Sequence, residues 1–112
     1  MKNCLLLEDD TFMSRYIEIM LRSHRVNVIC CKTVAQARNL IENEKVDVAV
    51  LDGLLPDGSG IDFANEIDCP VIFVTGVTDE HNKKKMWKRG ILFSKPLDSS
   101  FNECFKRIHD GL

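Results

Sequence analysis

Along the chain, short blocks of consecutive apolar residues alternate with longer stretches in which apolar residues return every three or four positions. The blocks are Asn3–Leu7, Val26–Cys31, Val46–Leu51, Val71–Thr75 and Ile91–Ser94, each of strand length and rich in aliphatic or β-branched residues. Between them, Tyr16, Ile19 and Met20 mark the apolar positions of a first amphipathic helix, and Val34, Ala37, Leu40 and Ile41 those of a second. Helix starts are signalled by Thr33 before the second helix, Asp79 before the fourth, and Asp98 with Ser99 before the last. The side-chain oxygens of these residues can accept from the open amides of a first turn. Pro56, Gly58 and Gly60 punctuate the loop after the third block, Pro70 leads into the fourth, and Gly90 ends the fourth helix. The pattern is a β-α unit repeated five times, with no linker or composition shift inside it, and it reads as one domain over residues 1–112.

Strands that alternate with helices predict a doubly wound α/β fold. Parallel neighbours need crossover helices, and those helices cover both faces of the sheet. Runs such as Leu5-Leu6-Leu7 and Val71-Ile72-Phe73-Val74 suit strands buried on both sides. In open sheets of this kind, ligands bind beyond the carboxyl ends of the strands, where the strand order reverses.

Hydrophobic residues make up 45% of the chain and charged residues 29%, the balance of a globular protein rather than a disordered one. A net charge of −2 gives no electrostatic basis for direct nucleic-acid or membrane binding by the whole surface, and the apolar blocks are too short to span a bilayer. A cytoplasmic protein is expected. Lys83, Lys84 and Lys85, with Lys88 and Arg89, form a local basic run that reads as a solvated helix face, or else as a surface for a partner. The five cysteines form no C-x-x-C pair and are expected to be buried thiols. His24, His81 and His109 are dispersed and read as surface residues, whereas Met86 and Trp87 read as core packing.

The expected strand ends gather polar groups: Glu8, Asp9 and Asp10 after the first, Asp52 after the third, Thr75 after the fourth and Lys95 after the fifth. Several carboxylates in one crevice repel one another, so either some take up protons or a cation holds them together. Oxygen-only ligands suit a hard ion, and Mg²⁺ is the usual choice where a phosphate is the remaining partner. Asp10 is expected to cap or begin the first helix.

In these blocks the chain resembles the response-regulator receiver family, chemotaxis-regulator-like: Leu5-Leu6-Leu7-Glu8-Asp9-Asp10, Val50-Leu51-Asp52 with Pro56 and Gly60, Val74-Thr75-Gly76, and Lys95-Pro96. The resemblance implies a flavodoxin-like (βα)5 sheet of strand order 2-1-3-4-5. It also implies a two-component phosphorelay role, with Asp52 the phosphoacceptor and Mg²⁺ the cofactor. Asp9 would bind the metal directly and Glu8 through water, beside Asp52 and the backbone carbonyl of Leu54. Thr75 would hydrogen-bond a phosphoryl oxygen and Lys95 would pair with the phosphoryl group. The side chains of Leu54 and Val77 would flank the line of attack. A histidine kinase or phosphotransfer protein would donate the phosphoryl group, and a downstream protein would read the result, through the helix of Lys83, Lys84 and Lys85 among other routes. Such a chain modifies itself and is not a turnover enzyme.

Three features depart from the family pattern. Leu92 stands where members usually carry an aromatic residue, with Phe93 expected on the opposite face, and both the Gly90–Lys95 stretch and the Ile61–Ile67 helix are short. The rival reading is a receiver-like interaction module that works without phosphorylation. An aspartyl phosphatase would need a carboxylate two residues after Asp52, where Leu54 stands. A flavin carrier would place phosphate against Glu8, Asp9 and Asp10, which would repel it.

Overall fold

The computed structural model describes residues 1–76 and 79–112. Within them the chain runs β1 (Asn3–Leu7), α1 (Thr11–Arg22), β2 (Asn27–Cys31), α2 (Val34–Asn43), β3 (Val48–Leu51), a small hairpin of β4 (Leu54–Leu55) and β5 (Gly58–Ser59), α3 (Gly60–Ala64), β6 (Val71–Thr75), α4 (Glu80–Arg89), β7 (Ile91–Ser94) and α5 (Ser99–Asp110). The main sheet is parallel, in the order β2-β1-β3-β6-β7. Counted among the strands of that sheet, this is the expected order 2-1-3-4-5. The order reverses between β1 and β3, so their carboxyl ends define the crevice.

Alternation along each strand divides the core. Leu5, Leu7, Ala49, Leu51, Val71 and Phe73 face α2, α3 and α4, while Cys4, Leu6, Val48, Val50, Ile72 and Val74 face α1 and α5. Phe101 and Phe105 of α5 are wholly buried on the second face, each worth about 2–3 kcal/mol of hydrophobic burial. Leu92 packs on the first face and Phe93 on the second, against Phe101 at 5.7 Å between ring centres, as strand alternation requires.

The expected caps hold α2, α4 and α5. Thr33, Asp79 and Asp98 accept from Gln36, Asn82 and Ser100 amides, and Asp10 accepts from Met13 at the start of α1. On α1 the expected phase is wrong: Ile17 and Leu21 are buried, whereas Tyr16 and Ile19 are exposed and Met20 is half-buried. This helix carries two apolar stripes, and its position on the sheet decides which turns inward. Two strands start later than expected, at Asn27 and Val48.

Helix α3 starts at Gly60, one residue before the expected start, and ends at Ala64 rather than Ile67. Arg89 of α4 donates to the carbonyls of Ala64 (2.9 Å), Ile67 (2.7 Å) and Cys69 (3.0 Å), so the chain after α3 bonds to a guanidinium instead of winding on. Among the other expectations, Met86 is buried but Trp87 is 56% exposed. Cys30 is exposed, and Cys69 and Cys104 are half-buried; all five thiols are free. His24 is not a plain surface residue: it is half-buried, with its ring 5.1 Å from that of Phe105 and Nε2 3.0 Å from Asn102 Oδ1. Among the described residues no helix is long and apolar enough to cross a membrane.

Two glycines allow close backbone approach. A Cβ on Gly60 would lie 1.8 Å from the Asp52 carbonyl oxygen, and one on Gly90 2.2 Å from that of Val71. At Gly58 the nearest atom, Val34 Cγ2, would be at an ordinary 3.5 Å. Gly60→Ala and Gly90→Ala are therefore expected to cost about 2–4 kcal/mol in urea unfolding, and Gly58→Ala less than about 0.5 kcal/mol.

Candidate functional site

The site is built by residues that continue the sheet one step past its strands. Glu8 donates its backbone N–H to Cys31 O (3.0 Å), and Asp52 donates its own to Leu7 O (2.8 Å). Both carboxylates thus leave the carboxyl edge at the reversal point. The Glu8 side chain is 1% exposed, and its Oε2 accepts the Asp10 N–H at 3.1 Å. Asp10 then caps α1, while Asp9 between them is exposed. The acidic triplet therefore divides its labour: one residue is buried, one faces the crevice opening and one starts the helix.

On the other side, Thr75 ends β6 and is buried, and its carbonyl accepts the Lys95 N–H at 3.1 Å just beyond β7. The Lys95 ammonium reaches back across the edge to lie 2.7 Å from Glu8 Oε1 and 3.1 Å from Asp52 Oδ2. It donates a hydrogen bond to Asp52 and forms a close ion pair with Glu8 Oε1. Asp52 Oδ1 accepts the Leu54 N–H at 3.3 Å. Leu54 itself is 68% exposed beside the buried Asp52.

Burial pushes the Glu8 carboxyl above its ordinary value, against the pull of Lys95 and the Asp10 amide, and the charge of Asp52 adds to the rise. Burial alone would lower the Lys95 ammonium. Its bonds to Glu8 and Asp52, with their negative charge, outweigh that and hold it above the ordinary lysine value.

One carboxylate oxygen from each of Glu8, Asp9 and Asp52 falls within 4.8 Å of the others. Three carboxylates face a single paired ammonium among the described residues, which leaves an excess of negative charge on an all-oxygen donor set. That chemistry fits a hard divalent cation such as Mg²⁺ and not a soft one. Gly76 follows Thr75, and a Cβ there would meet nothing within 4 Å among the described residues. Val77 lies outside the described residues.

Two parts of this arrangement were not expected from sequence. The first is the Lys95–Glu8 pair, since nothing in the Leu-Glu-Asp-Asp string shows which acid turns inward. The second is the approach of Gly60 to the Asp52 carbonyl, for which the lone signal was a glycine at the start of a short helix.

Fold and site define a flavodoxin-like α/β domain with three carboxylates and one lysine gathered at the carboxyl edge of a parallel sheet. The chain belongs to the family of response regulator receiver domains, which it matches over residues 4–101, and these are components of two-component signalling systems. It is 31% identical over 112 residues to the cell cycle transcriptional regulator CtrA of Caulobacter vibrioides, covering 94% of this chain and 48% of that protein. It is 27% identical over 104 residues to the response regulator protein PilR of Pseudomonas aeruginosa, covering 87% of this chain and 23% of that one. The chain thus spans about half or less of the length of these curated relatives. Among solved structures, the non-phosphorylated HemR receiver domain of Leptospira biflexa superposes with a TM-score of 0.86 at 28% identity, covering 97% of this chain and 94% of that one. A CheY-like receiver domain protein of Methanospirillum hungatei JF-1 gives 0.89 at 24% identity, covering 99% and 95%, and supports the fold.

Replacing Lys95 with Met leaves Glu8 and Asp52 together without a cation. Glu8 has a raised value in the folded state, so the stability its protonated form brings is present below the unfolded-state value and lost as pH rises through the folded one. Lys95→Met is therefore expected to cost about 2 kcal/mol at neutral pH, a figure reduced from that of a fully buried pair because Lys95 is partly exposed. At acidic pH the cost should be smaller, since a protonated Glu8 needs no partner. Urea midpoints at the two pH values in metal-free buffer measure this.

Proposed function

We propose that the chain is a phosphorelay receiver in which Asp52 accepts a phosphoryl group from the phosphohistidine of a histidine kinase or phosphotransfer protein, with Mg²⁺ as cofactor. The observation that carries this reading is the Lys95 ammonium lying between the Glu8 and Asp52 carboxylates, with Asp9 completing the oxygen cluster.

Asp52 Oδ1 and Oδ2 are both held, one by the Leu54 N–H and the other by Lys95, so the carboxylate is oriented before a donor arrives. In the transfer, a carboxylate oxygen forms the new P–O bond as the bond from phosphorus to the donor imidazole breaks and that nitrogen keeps the electron pair. The charge on the moving phosphoryl oxygens is met by the Lys95 ammonium and the Thr75 hydroxyl, a catalysis of position and electrostatics. Mg²⁺, held by Glu8, Asp9, Asp52 and the Leu54 carbonyl, would supply the positive charge that lets a phosphodianion approach these acids. The product is the modified protein itself, so the chain acts as a signalling switch and not as a turnover enzyme.

Lys84 and Lys85 are exposed on α4 and Lys83 is half-buried, a basic face available to an acidic downstream protein. We place the reaction in the cytoplasm. The absence of an aromatic residue at Leu92 favours a switch centred on Thr75 and Lys95, which already share a backbone bond.

With Mg²⁺ and acetyl phosphate, the intact mass should rise by one phosphoryl group. Asp52→Asn, or excess chelator, should abolish the gain. Full labelling of the variant would overturn Asp52 as the acceptor, full labelling in chelator would overturn the role of Mg²⁺, and no mass gain in the wild-type protein would leave the phosphorylation-independent interaction module as the better reading.

The exposed Leu54 side chain cannot orient an attacking water. Leu54→Asn is expected to hasten loss of the phosphoryl group several-fold without preventing its addition, read from the decay of the phosphorylated mass after donor removal.

A further inference from the structure

The hairpin that follows Asp52 cannot hold itself. It has two rungs, Leu54 opposite Ser59 and Leu55 opposite Gly58, and an isolated ladder of that size is not stable in water. Its base is fixed by the Gly60 N–H donated to Gly53 O (3.1 Å) and by the close approach of Gly60 to the Asp52 carbonyl. Its tip is fixed by Asp57, whose two carboxylate oxygens accept the backbone N–H groups of Val34 (2.8 Å) and Ala35 (3.0 Å) at the start of α2. Gly58 packs beside the Val34 side chain.

Helix α2 already has a cap of its own. Thr33 accepts the Gln36 N–H at 3.1 Å, and the Gln36 side chain reaches back to accept the Lys32 N–H at 2.7 Å. The contact with Asp57, more than twenty residues further along the chain, joins two amides of a locally capped helix to the loop that carries Leu54. At the other end of that loop, the Leu54 N–H donates to the phosphoacceptor carboxylate.

We propose that Asp57 is a positioning residue: by tying the hairpin tip to α2 it sets where the Leu54 backbone stands relative to Asp52, and so sets the divalent-cation affinity and phosphorylation rate of the site. This rests on the reading of Asp52 as the phosphoacceptor and of the Leu54 carbonyl as a metal ligand. The anchor works at a distance from the reacting atoms, like the outer partners that orient metal ligands.

The test compares Asp57→Ala and Asp57→Asn with Thr33→Ala, which removes the local cap of the same helix and leaves the hairpin untouched. Mg²⁺ affinity is measured by calorimetric titration, the Leu54 amide shift by NMR in metal-free protein, and thermal stability alongside. Asp57→Ala should shift the Leu54 amide and weaken Mg²⁺ binding roughly tenfold, with slower phosphorylation by acetyl phosphate. Asp57→Asn keeps one accepting oxygen and should fall between, which guards against a variant that merely fails to fold. Thr33→Ala should lower the melting temperature with Mg²⁺ affinity unchanged. Wild-type Mg²⁺ affinity and an unmoved Leu54 amide in Asp57→Ala would overturn the proposal, as would equal weakening in Thr33→Ala, which would show an effect of helix stability alone. A wild-type protein that neither binds Mg²⁺ nor gains a phosphoryl group would remove the Asp52 reading first, and this inference with it.

Discussion

The ammonium of Lys95 between two buried carboxylates is the interaction on which the site depends. Glu8 and Asp52 emerge from adjacent strands of the sheet, β1 and β3, so the register that packs Leu7 beside Leu51 also brings two negative charges together at the edge of a dry core. Left alone they would favour protonation or separation of the strand ends. Lys95 offsets that repulsion from the far side of the crevice, reached only because β6 and β7 extend the sheet in the same direction and the Lys95 amide bonds Thr75. The paired ammonium covers part of the charge. The remainder, with exposed Asp9, leaves an all-oxygen cluster of excess negative charge at the crevice.

The same constraint shapes the neighbouring backbone. Asp52 must stay at the edge with its carbonyl side closed, and α3 closes it by passing so near that only glycine fits at position 60. A helix started so tightly has little room to run. It ends after Ala64, where Arg89 draws the carbonyls of the following residues toward α4. The hairpin between Asp52 and α3 is then left to side-chain anchors, and Leu54 is displayed as an exposed apolar side chain on a backbone whose N–H donates to the Asp52 carboxylate. The short α3 noted in the sequence thus belongs with the packing around Asp52.

Membership in the receiver family sets what the edge is for, and the departures of this chain set how it can work. Here Leu92 packs into the face under α4 and Phe93 is held against Phe101 on the other, so each is committed to a core cluster. The polar residues that join the crevice to the fifth strand are Thr75 and Lys95, through the Lys95 N–H donated to the Thr75 carbonyl.

By itself the sequence determined the alternation of strands and helices, the positions of the caps at Thr33, Asp79 and Asp98, and the identity of the acids and the lysine at the strand ends. These are local properties: hydrophobic period, capping chemistry and residue type act within a turn or a strand and leave their mark on neighbouring letters. What only the tertiary structure decided were relations between distant residues. The phase of α1 was chosen by the surface it covers, which turned Ile17 inward and Tyr16 outward. His24 found a ring on α5, and Trp87 stayed 56% exposed. Glu8 rather than Asp9 became the buried partner of Lys95, because the direction of a side chain leaving a strand end follows from the next hydrogen bond in the sheet. Asp57 reads locally as a turn residue, and its two bonds to Val34 and Ala35 exist only because the folded chain brings the hairpin tip beside the start of α2.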